Sequence, residues 1–502
     1  MNNDRDTDYD LIVVGGGPGG AACATLVAMQ RHRVLLLEKS QVPSFKIGES
    51  LLPVTIHGIC ALLGVGEELS QAGFVVKTGG RFVWGHDREP WDFLFSASTE
   101  FASPTSTAYQ VEREVFDGIL LRNAAVKGVD VRLGCAARDV VTLGNGQAIG
   151  VRYTDAAGTL LSASARYIVD ASGQLGCFNS FVGKRIYSEF FQNMSVFRYY
   201  QHGGRLPEPV SGNVLSVAFE HGWFWYIPLR NGLTSVGAVF GQEQSRPSTS
   251  SDALFDDFLS QCPEVRELLA GAVRVTEGTY GRTRIWRDFS YTTSAFFRNG
   301  VILVGDAACF LDPLFSSGVH MTTYSALLAA RSINTRLRGL SNDEECFTEY
   351  EIRFRREFAL FYDFIAAFYD VHRQHKSDFW NRRKVSASPE RWNAEYTDLL
   401  DGVDGFMDSP TGNRADFWKA RTQLGAILFP QAAQTIESEI TRRQRSRMLG
   451  SLFRELTELQ LQAILEAKPP TQAPIRQGGL ISSPDGLHWT TTSAAEGVAA
   501  VI

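Results

Sequence analysis

The 502-residue chain is 44% hydrophobic and 21% charged, with a formal charge of −6. That length buries a large core and more than one structural unit, and the negative balance supplies no basic field for a polyanion. Its seven cysteines, Cys23, Cys60, Cys135, Cys177, Cys262, Cys309 and Cys346, are odd in number and never spaced C-x-x-C, which argues against a disulfide framework or structural zinc and fits a reducing compartment.

The start, Met1-Asn2-Asn3-Asp4-Arg5-Asp6, is acidic where a secretory signal is basic and then apolar, and no apolar run reaches bilayer length. A soluble, cytoplasmic protein is expected. Tyr9–Val14 reads as a buried strand, 21–30 as a helix and 33–37 as a second strand, giving a βαβ opening. Further strands are predicted at 129–133, Ala148–Thr154 and 167–170. From about 186 to 299 the pattern stays strand-like, with turn signals at His202-Gly203-Gly204 and Arg230-Asn231-Gly232. A buried strand follows at 301–304, then helix from about 319 to 380 and again from about 413 to 467. The tail from Lys468 is rich in Pro, Gly, Ser and Thr, and reads as a lid or a loosely ordered end.

Gly15-Gly16-Gly17-Pro18-Gly19-Gly20 lies between predicted strand and helix, as a G-x-G-x-x-G dinucleotide fingerprint requires. Gly15 permits the tight turn, Gly17 the close approach of a pyrophosphate, and Gly20 close helix–strand packing. Glu38 ends the second strand, where it can accept from a ribose hydroxyl. Standing alone, the fingerprint is a weak signal that a plain glycine-rich turn also explains. Pro313 with Ser316 or Ser317 precedes a long apolar-periodic run and marks a helix start, whose open N–H groups suit an anionic ligand as well as a plain cap. Within Gly222-Trp223-Phe224-Trp225-Tyr226-Ile227-Pro228, a strand places Trp223, Trp225 and Ile227 on one face and Phe224 and Tyr226 on the other, with Pro228 ending the pairing. Strand burial on both sides explains that run without function.

Leu303-Val304-Gly305-Asp306-Ala307-Ala308 resembles the second fingerprint of the FAD monooxygenase superfamily, whose aspartate holds the ribityl chain. Asp170-Ala171-Ser172-Gly173 resembles the motif between the two fingerprints, and Arg113 with Phe116-Asp117 a helix start beside the cofactor. The resemblance implies an α/β, FAD monooxygenase-like fold: a Rossmann-type FAD-binding domain with a mixed or antiparallel substrate sheet, plus a largely helical C-terminal region. The expected core runs over 1–340, with FAD segments at about 9–80, 105–185 and 300–340 and a substrate platform at about 81–104 and 186–299. Residues 341–502 form the expected C-terminal region. No second glycine-rich βαβ unit is visible for a nicotinamide, so FAD is expected to arrive already reduced by a separate flavin reductase.

Two further patterns resemble the flavin-dependent halogenases: W-x-W-x-I-P at Trp223, Trp225, Ile227 and Pro228, and F-x-x-P-x-x-S-x-G at Phe310, Pro313, Ser316 and Gly318. In that family the tryptophans are associated with a wall between flavin and organic substrate. The resemblance implies that reduced FAD, O2 and chloride (or bromide) form hypohalous acid, with the halide near the amides of Ser317 and Gly318. Lys77, in Phe74-Val75-Val76-Lys77-Thr78-Gly79-Gly80, matches the family's essential lysine, which relays the oxidant by hydrogen bond or as a haloamine. An isolated lysine is otherwise a surface residue. Halogenases of free tryptophan carry a glutamate three residues before the glycine matched by Gly318; here Phe315 stands there. With Gly48-Glu49-Ser50-Leu51-Leu52-Pro53 and Tyr109-Gln110-Val111-Glu112-Arg113, this most resembles the branch acting on tyrosyl-like phenols tethered to a carrier protein. Glu49 and Ser50 read as loop residues near the cofactor or as helix caps. His320 reads as a core or capping residue, and no metal motif is visible. Arg382-Arg383-Lys384 and the 442–447 arginines read as solvated helix faces before a docking patch for an acidic carrier. The rivals are a flavin hydroxylase, a flavin reductase similar to the geranylgeranyl reductases, and a flavin-binding assembly partner without catalysis.

Overall fold

The computed structural model describes residues 7–84, 88, 90–97, 106–245, 250–370, 372, 377–384, 390, 391, 399, 474 and 478–491. The expected helix at 413–467 and the 442–447 arginines lie outside the described residues.

The opening βαβ unit is present. Strand Tyr9–Val14 leads into helix Pro18–Ala28 and strand Val34–Glu38. These strands are apolar along nearly their whole length because the sheet is parallel and covered on both faces. In spatial order the parallel strands are Val301–Leu303, the C-terminal half of Leu160–Asp170, Tyr9–Val14, Val34–Glu38 and Asp130–Leu133. The N-terminal half of Leu160–Asp170 turns aside to pair antiparallel with Ala148–Thr154, which pairs with Ala136–Thr142. That bend places Asp170 at the carboxyl end of the parallel sheet, between the two fingerprint loops.

A second, mostly antiparallel sheet is built around the 17-residue strand Arg185–Gln201. Next to it run Leu233–Gly241, Gly222–Pro228, Val214–Phe219, Gly79–Val83 and Pro90–Leu94, with Arg284–Thr293 on the opposite edge. The Arg230-Asn231-Gly232 turn closes the Gly222–Pro228/Leu233–Gly241 hairpin with positive φ at Asn231 and Gly232 (55° and 76°), the conformation a tight hairpin needs. Pro228 still pairs with Thr234, so pairing continues through it and ends just beyond. The two faces of the Gly222–Pro228 strand separate as its alternation dictates. Trp223, Trp225 and Ile227 join the large core shared with the first sheet, while Phe224 and Tyr226 join a smaller core beneath two short helices.

Those helices, Ser251–Ser260 and Pro263–Leu268, correct the reading of 186–299 as strand throughout. Ser250 Oγ accepts from the Ala253 amide, and Leu254, Phe255 and Phe258 form one buried stripe, the helical spacing of 3 and 4.

Beyond the first sheet, helix Gly318–Leu337 packs against Pro18–Ala28 and against the long helix Asp343–Asp370. The 478–491 stretch of the tail is a small hairpin, Ile481–Ser482 with Trp489–Thr490, held on the back of these helices. Arg331 Nε donates to Gly486 O, Asn334 Nδ2 to Leu487 O, and the Trp489 indole to Ser332 Oγ. This part is neither a lid nor loose. All seven cysteines are free, six of them buried. Among the described residues, no helix is long and apolar enough to cross a membrane and no His/Cys/Asp/Glu cluster fits a metal ion.

Candidate active site

Gly15 takes φ of +106°, and a β-carbon there would lie 2.4 Å from Ala171 O. On Gly20 it would lie 1.8 Å from Gly15 O, so strand and helix touch there as the fingerprint requires. On Gly17, at the helix N-cap, it would meet nothing within 4 Å. The cradle is therefore closed on its protein side and open outward, as a pyrophosphate needs. Glu38 is fixed by the amides of Gly16 (2.7 Å) and Ser40 (2.8 Å). Arg113 makes a bidentate pair with Asp117 (2.8 and 3.0 Å) and donates to Ile47 O; burial opposes its charge, but Asp117 outweighs that and holds its pKa above the ordinary value. Burial pushes Asp306 up to about 6, against the pull of Arg113. The residues present fit a flavin dinucleotide lying from Glu38 past Gly17 to Asp306.

After Asp306 the chain turns tightly. Asp312 Oδ1 accepts from the Leu314 amide and caps the Pro313–Phe315 turn, and Ser316 adopts the left-handed φ of 58°. Ser317 is the N-cap of Gly318–Leu337 through its position alone, with no side-chain capping bond, which decides between the two candidate serines. A β-carbon on Gly318 would meet nothing within 4 Å. The amides of this first turn have no carbonyl of their own helix to pair with.

Trp223, 2% exposed, donates its indole N–H to Tyr369 Oη at 2.6 Å. The Tyr369 hydroxyl in turn donates a hydrogen bond to Asp312 Oδ2 (3.0 Å), which also accepts from Asn193 Nδ2 (2.6 Å). Asn193 Oδ1 in turn accepts from Arg383 Nε at 2.7 Å. One carboxylate thus ties the Pro313–Gly318 loop, the tryptophan strand and the C-terminal helices together. Burial pushes the Asp312 carboxyl upward, while Asn193 and Tyr369 hold it down. Trp225 lies across Gly237, where any β-carbon would sit 2.2 Å from its ring, and donates to Ser235 Oγ. Trp84 packs against Trp223, with ring centres 6.4 Å apart, and Trp380 packs in turn against Trp84 at 5.0 Å. Sequence reading missed Trp84, Asn193, Tyr369 and Trp380; Asp312, inside the quoted motif, was the available signal. Arg383 is buried inside this network, which corrects the expectation of a solvated face at 382–384.

Lys77 is 1% exposed, on the short strand Val75–Lys77. Its ammonium donates to Leu51 O at 3.0 Å and sits 5.5 Å from the Phe95 ring centre. Burial pushes it down to about 7, and among the described residues no charged side chain contributes to that shift. From Phe95 the aromatic contacts run through Phe93 and Phe82 to Phe315, which meets Phe364 at 4.6 Å and Phe368 at 5.1 Å. Glu49 is a buried loop residue. It accepts from the Tyr199 hydroxyl at 2.6 Å, and burial lifts its carboxyl to about 7. His320 is a buried core residue, its Nε2 2.8 Å from Glu357 Oε1 and its Nδ1 without a partner.

The family model of the tryptophan halogenases matches residues 10–103 and 96–431. The chain belongs to that family. The halogenase is 32% identical to the tryptophan 2-halogenase of Chondromyces crocatus over 382 residues, covering 75% of this chain and 70% of that one. It is 28% identical to the 1H-pyrrole-2-carbonyl-[peptidyl-carrier protein] chlorinase of Pseudomonas fluorescens, over 73% and 85% of the two chains. Among solved structures it is similar to the myxobacterial chondrochloren halogenase, described as a variant of the FAD-dependent halogenases, with a TM-score of 0.76, 45% identity and coverage of 96% and 99%. The enzyme is an FAD-dependent halogenase, and it works with reduced FAD, a halide and O2. Its fold is the expected one, with a Rossmann-like FAD sheet, a mixed second sheet and C-terminal helices.

Proposed function

We propose that this halogenase chlorinates a phenolic aminoacyl group, of the tyrosine or β-tyrosine type, held as a thioester on a carrier protein, with reduced FAD delivered by a separate reductase. The observation that carries the reading is Phe315 at the position of a carboxylate, linked by ring contacts through Phe82, Phe93 and Phe95 to the buried Lys77, on which no charged side chain among the described residues acts. A phenol lends electron density from its own oxygen, so its halogenation needs no carboxylate to stabilise a ring cation. The named activity of the carrier-protein chlorinase from Pseudomonas supports the tethered form.

Reduced FAD, once bound, supplies with O2 the oxidising equivalents that turn chloride into hypochlorous acid. Gly15, Gly17, Gly20, Glu38, Arg113 and Asp306 hold it, with Pro313 shaping the loop at its reactive end. The Ser317 and Gly318 amides hold the halide by helix-terminal dipoles. Trp223, Trp225, Ile227 and Pro228 exclude the organic substrate from the flavin side, and the Tyr369–Asp312 bridge keeps that wall in register with the halide loop. Lys77 receives the oxidant: its ammonium, poised near neutrality, offers a proton at Nζ to polarise the hypochlorous acid toward the ring.

The test supplies purified enzyme with reduced FAD, O2 and chloride, and compares a carrier-loaded tyrosyl or β-tyrosyl thioester with the free amino acids, tryptophan included. Chlorine on the loaded phenol supports the proposal; chlorine only on tryptophan rejects it.

A further inference from the structure

His320 stands in the first turn of Gly318–Leu337, three residues after the N-cap Ser317. Helical side chains lean toward the N-terminus over the turn before them, so the His320 imidazole leans toward the Ser317 end of the helix. Both residues are 1% exposed. One edge of the ring is held: Nε2 is 2.8 Å from Oε1 of Glu357, which is itself buried. Its faces meet Tyr324, stacked at 5.8 Å between ring centres, and Phe361 at the same distance. Among the described residues, Glu357 and Tyr324 are the titratable groups in contact with the ring, one from each of the two helices that meet there. The other edge is open, because Nδ1 is buried without a partner.

A carboxylate against Nε2 sets the tautomer. Nε2 carries a proton, so a neutral ring presents a lone pair at Nδ1 and a protonated ring presents an N–H. The lone pair repels an anion at the helix end, and the N–H attracts it. Protonation also gives the buried Glu357 carboxylate a counter-charge, whereas an uncompensated buried charge is costly.

Halide oxidation calls for a proton at this end of the helix. Reduced FAD, O2, chloride and one proton become oxidised FAD, hypochlorous acid and one water. Two electrons leave the chloride, two leave the reduced FAD, and the O–O bond breaks. One oxygen departs with the chlorine and the other as water. Each chloride must therefore be accompanied by a proton, while passing the halogen on to an organic ring needs none.

We propose that the His320–Glu357 pair takes up one proton with each halide bound at the Ser317 and Gly318 amides, and holds it at Nδ1 until the halide is oxidised. The proposal rests on the halide loop of the reading above. The proton then goes to the oxygen that leaves as water, and Nδ1 regains its lone pair. His320 acts on the halide by charge, and Glu357 is a positioning residue that acts through His320.

The test titrates the enzyme carrying oxidised FAD with bromide, by calorimetry, over about pH 6 to 9, where histidine ordinarily exchanges its proton. Buffers of different ionisation enthalpy count the protons taken up per halide. The expected affinity falls by up to about tenfold per pH unit toward the alkaline side, with uptake there approaching one proton per bromide. His320→Gln keeps a donor for Glu357 but has no titrating nitrogen, so its bromide affinity should not vary with pH and its uptake should vanish. Glu357→Gln keeps the contact without the carboxylate and should move the loss of affinity to lower pH, which a merely structural role would not do. Should His320→Gln fail to fold, Glu357→Gln decides, and an unmoved pH dependence there overturns the proposal. Bromide bound without proton uptake, the result if Nδ1 merely holds a water, overturns it and leaves the halide loop standing. So does uptake retained in His320→Gln. No bromide binding by the parent at any of these pH values removes the halide loop, and the proposal with it.

Discussion

Trp223 and Asp312 are joined through a single hydroxyl: the indole donates to Tyr369 Oη at 2.6 Å, and Tyr369 donates to the Asp312 carboxylate at 3.0 Å. Asp312 also caps the turn that leads to Ser317 and Gly318. The proposed wall and the proposed halide loop are therefore two ends of one buried network, and the long helix Asp343–Asp370 supplies its middle.

Tyr369→Phe breaks that network at its centre and leaves the Trp223 N–H without its partner in the core. A loss of about 1–3 kcal/mol of stability is expected, together with less halogenated product per O2. Denaturant unfolding and an oxygen electrode check the two effects. A variant as stable and as well coupled as the parent would mean the bridge holds nothing in place.

Lys77 carries a pH signature. Burial holds its folded pKa near 7, well below the ordinary value of 10.5, so between those limits the unfolded chain binds more protons than the folded one. Stability from this group accordingly rises with pH through that window, and the cost is fully present below about 7. Lys77→Met should be more stable than the parent at pH 6, with the gap closing toward pH 10. Melting temperatures across that range test it; a gap independent of pH would contradict the burial argument.

Two glycines of the first fingerprint should respond differently. A methyl on Gly20 collides with Gly15 O, whereas on Gly17 it meets only open space. Gly20→Ala is expected to lower the melting temperature as well as FAD binding. Gly17→Ala should keep the fold and weaken FAD at least about tenfold by intruding where a pyrophosphate lies. Titrating the apoprotein with FAD, beside a thermal melt of each variant, distinguishes the two.

The hairpin at 478–491 is expected to be a structural tie. Trp489 is 1% exposed between the Arg331 and Arg353 guanidinium groups, at 5.3 and 5.0 Å, and its truncation to alanine should cost about 3–5 kcal/mol. Chemical denaturation of Trp489→Ala measures this, and a loss under about 1 kcal/mol would return the hairpin to the status of a loose tail.

What the sequence showed was whatever is written locally. The glycines of 15–20 and the apolar strands beside them announced the FAD sheet, and the alternation across Trp223–Ile227 placed the right side chains on the right faces. The short helices at Ser251–Ser260 and Pro263–Leu268 were hidden by the strand-like composition around them, although the Ser250 cap and the stripe of Leu254, Phe255 and Phe258 were legible. The rest depends on pairing over distance. Nothing near Asp312 in the chain points to Tyr369, 57 residues on, and Arg383 looks like surface charge until Asn193 is placed against it. The Gly237 that lets Trp225 lie flat reads as an ordinary strand glycine until the two strands are in register.

The most direct test of the account is mass spectrometry of a tyrosyl or β-tyrosyl thioester on its carrier protein after incubation with the enzyme, reduced FAD, O2 and chloride. The expected result is the isotope pattern of chlorine on the loaded phenol, absent from the free amino acid and absent with Lys77→Ala. Oxygen added in place of chlorine, or chlorine on free tryptophan alone, would contradict it.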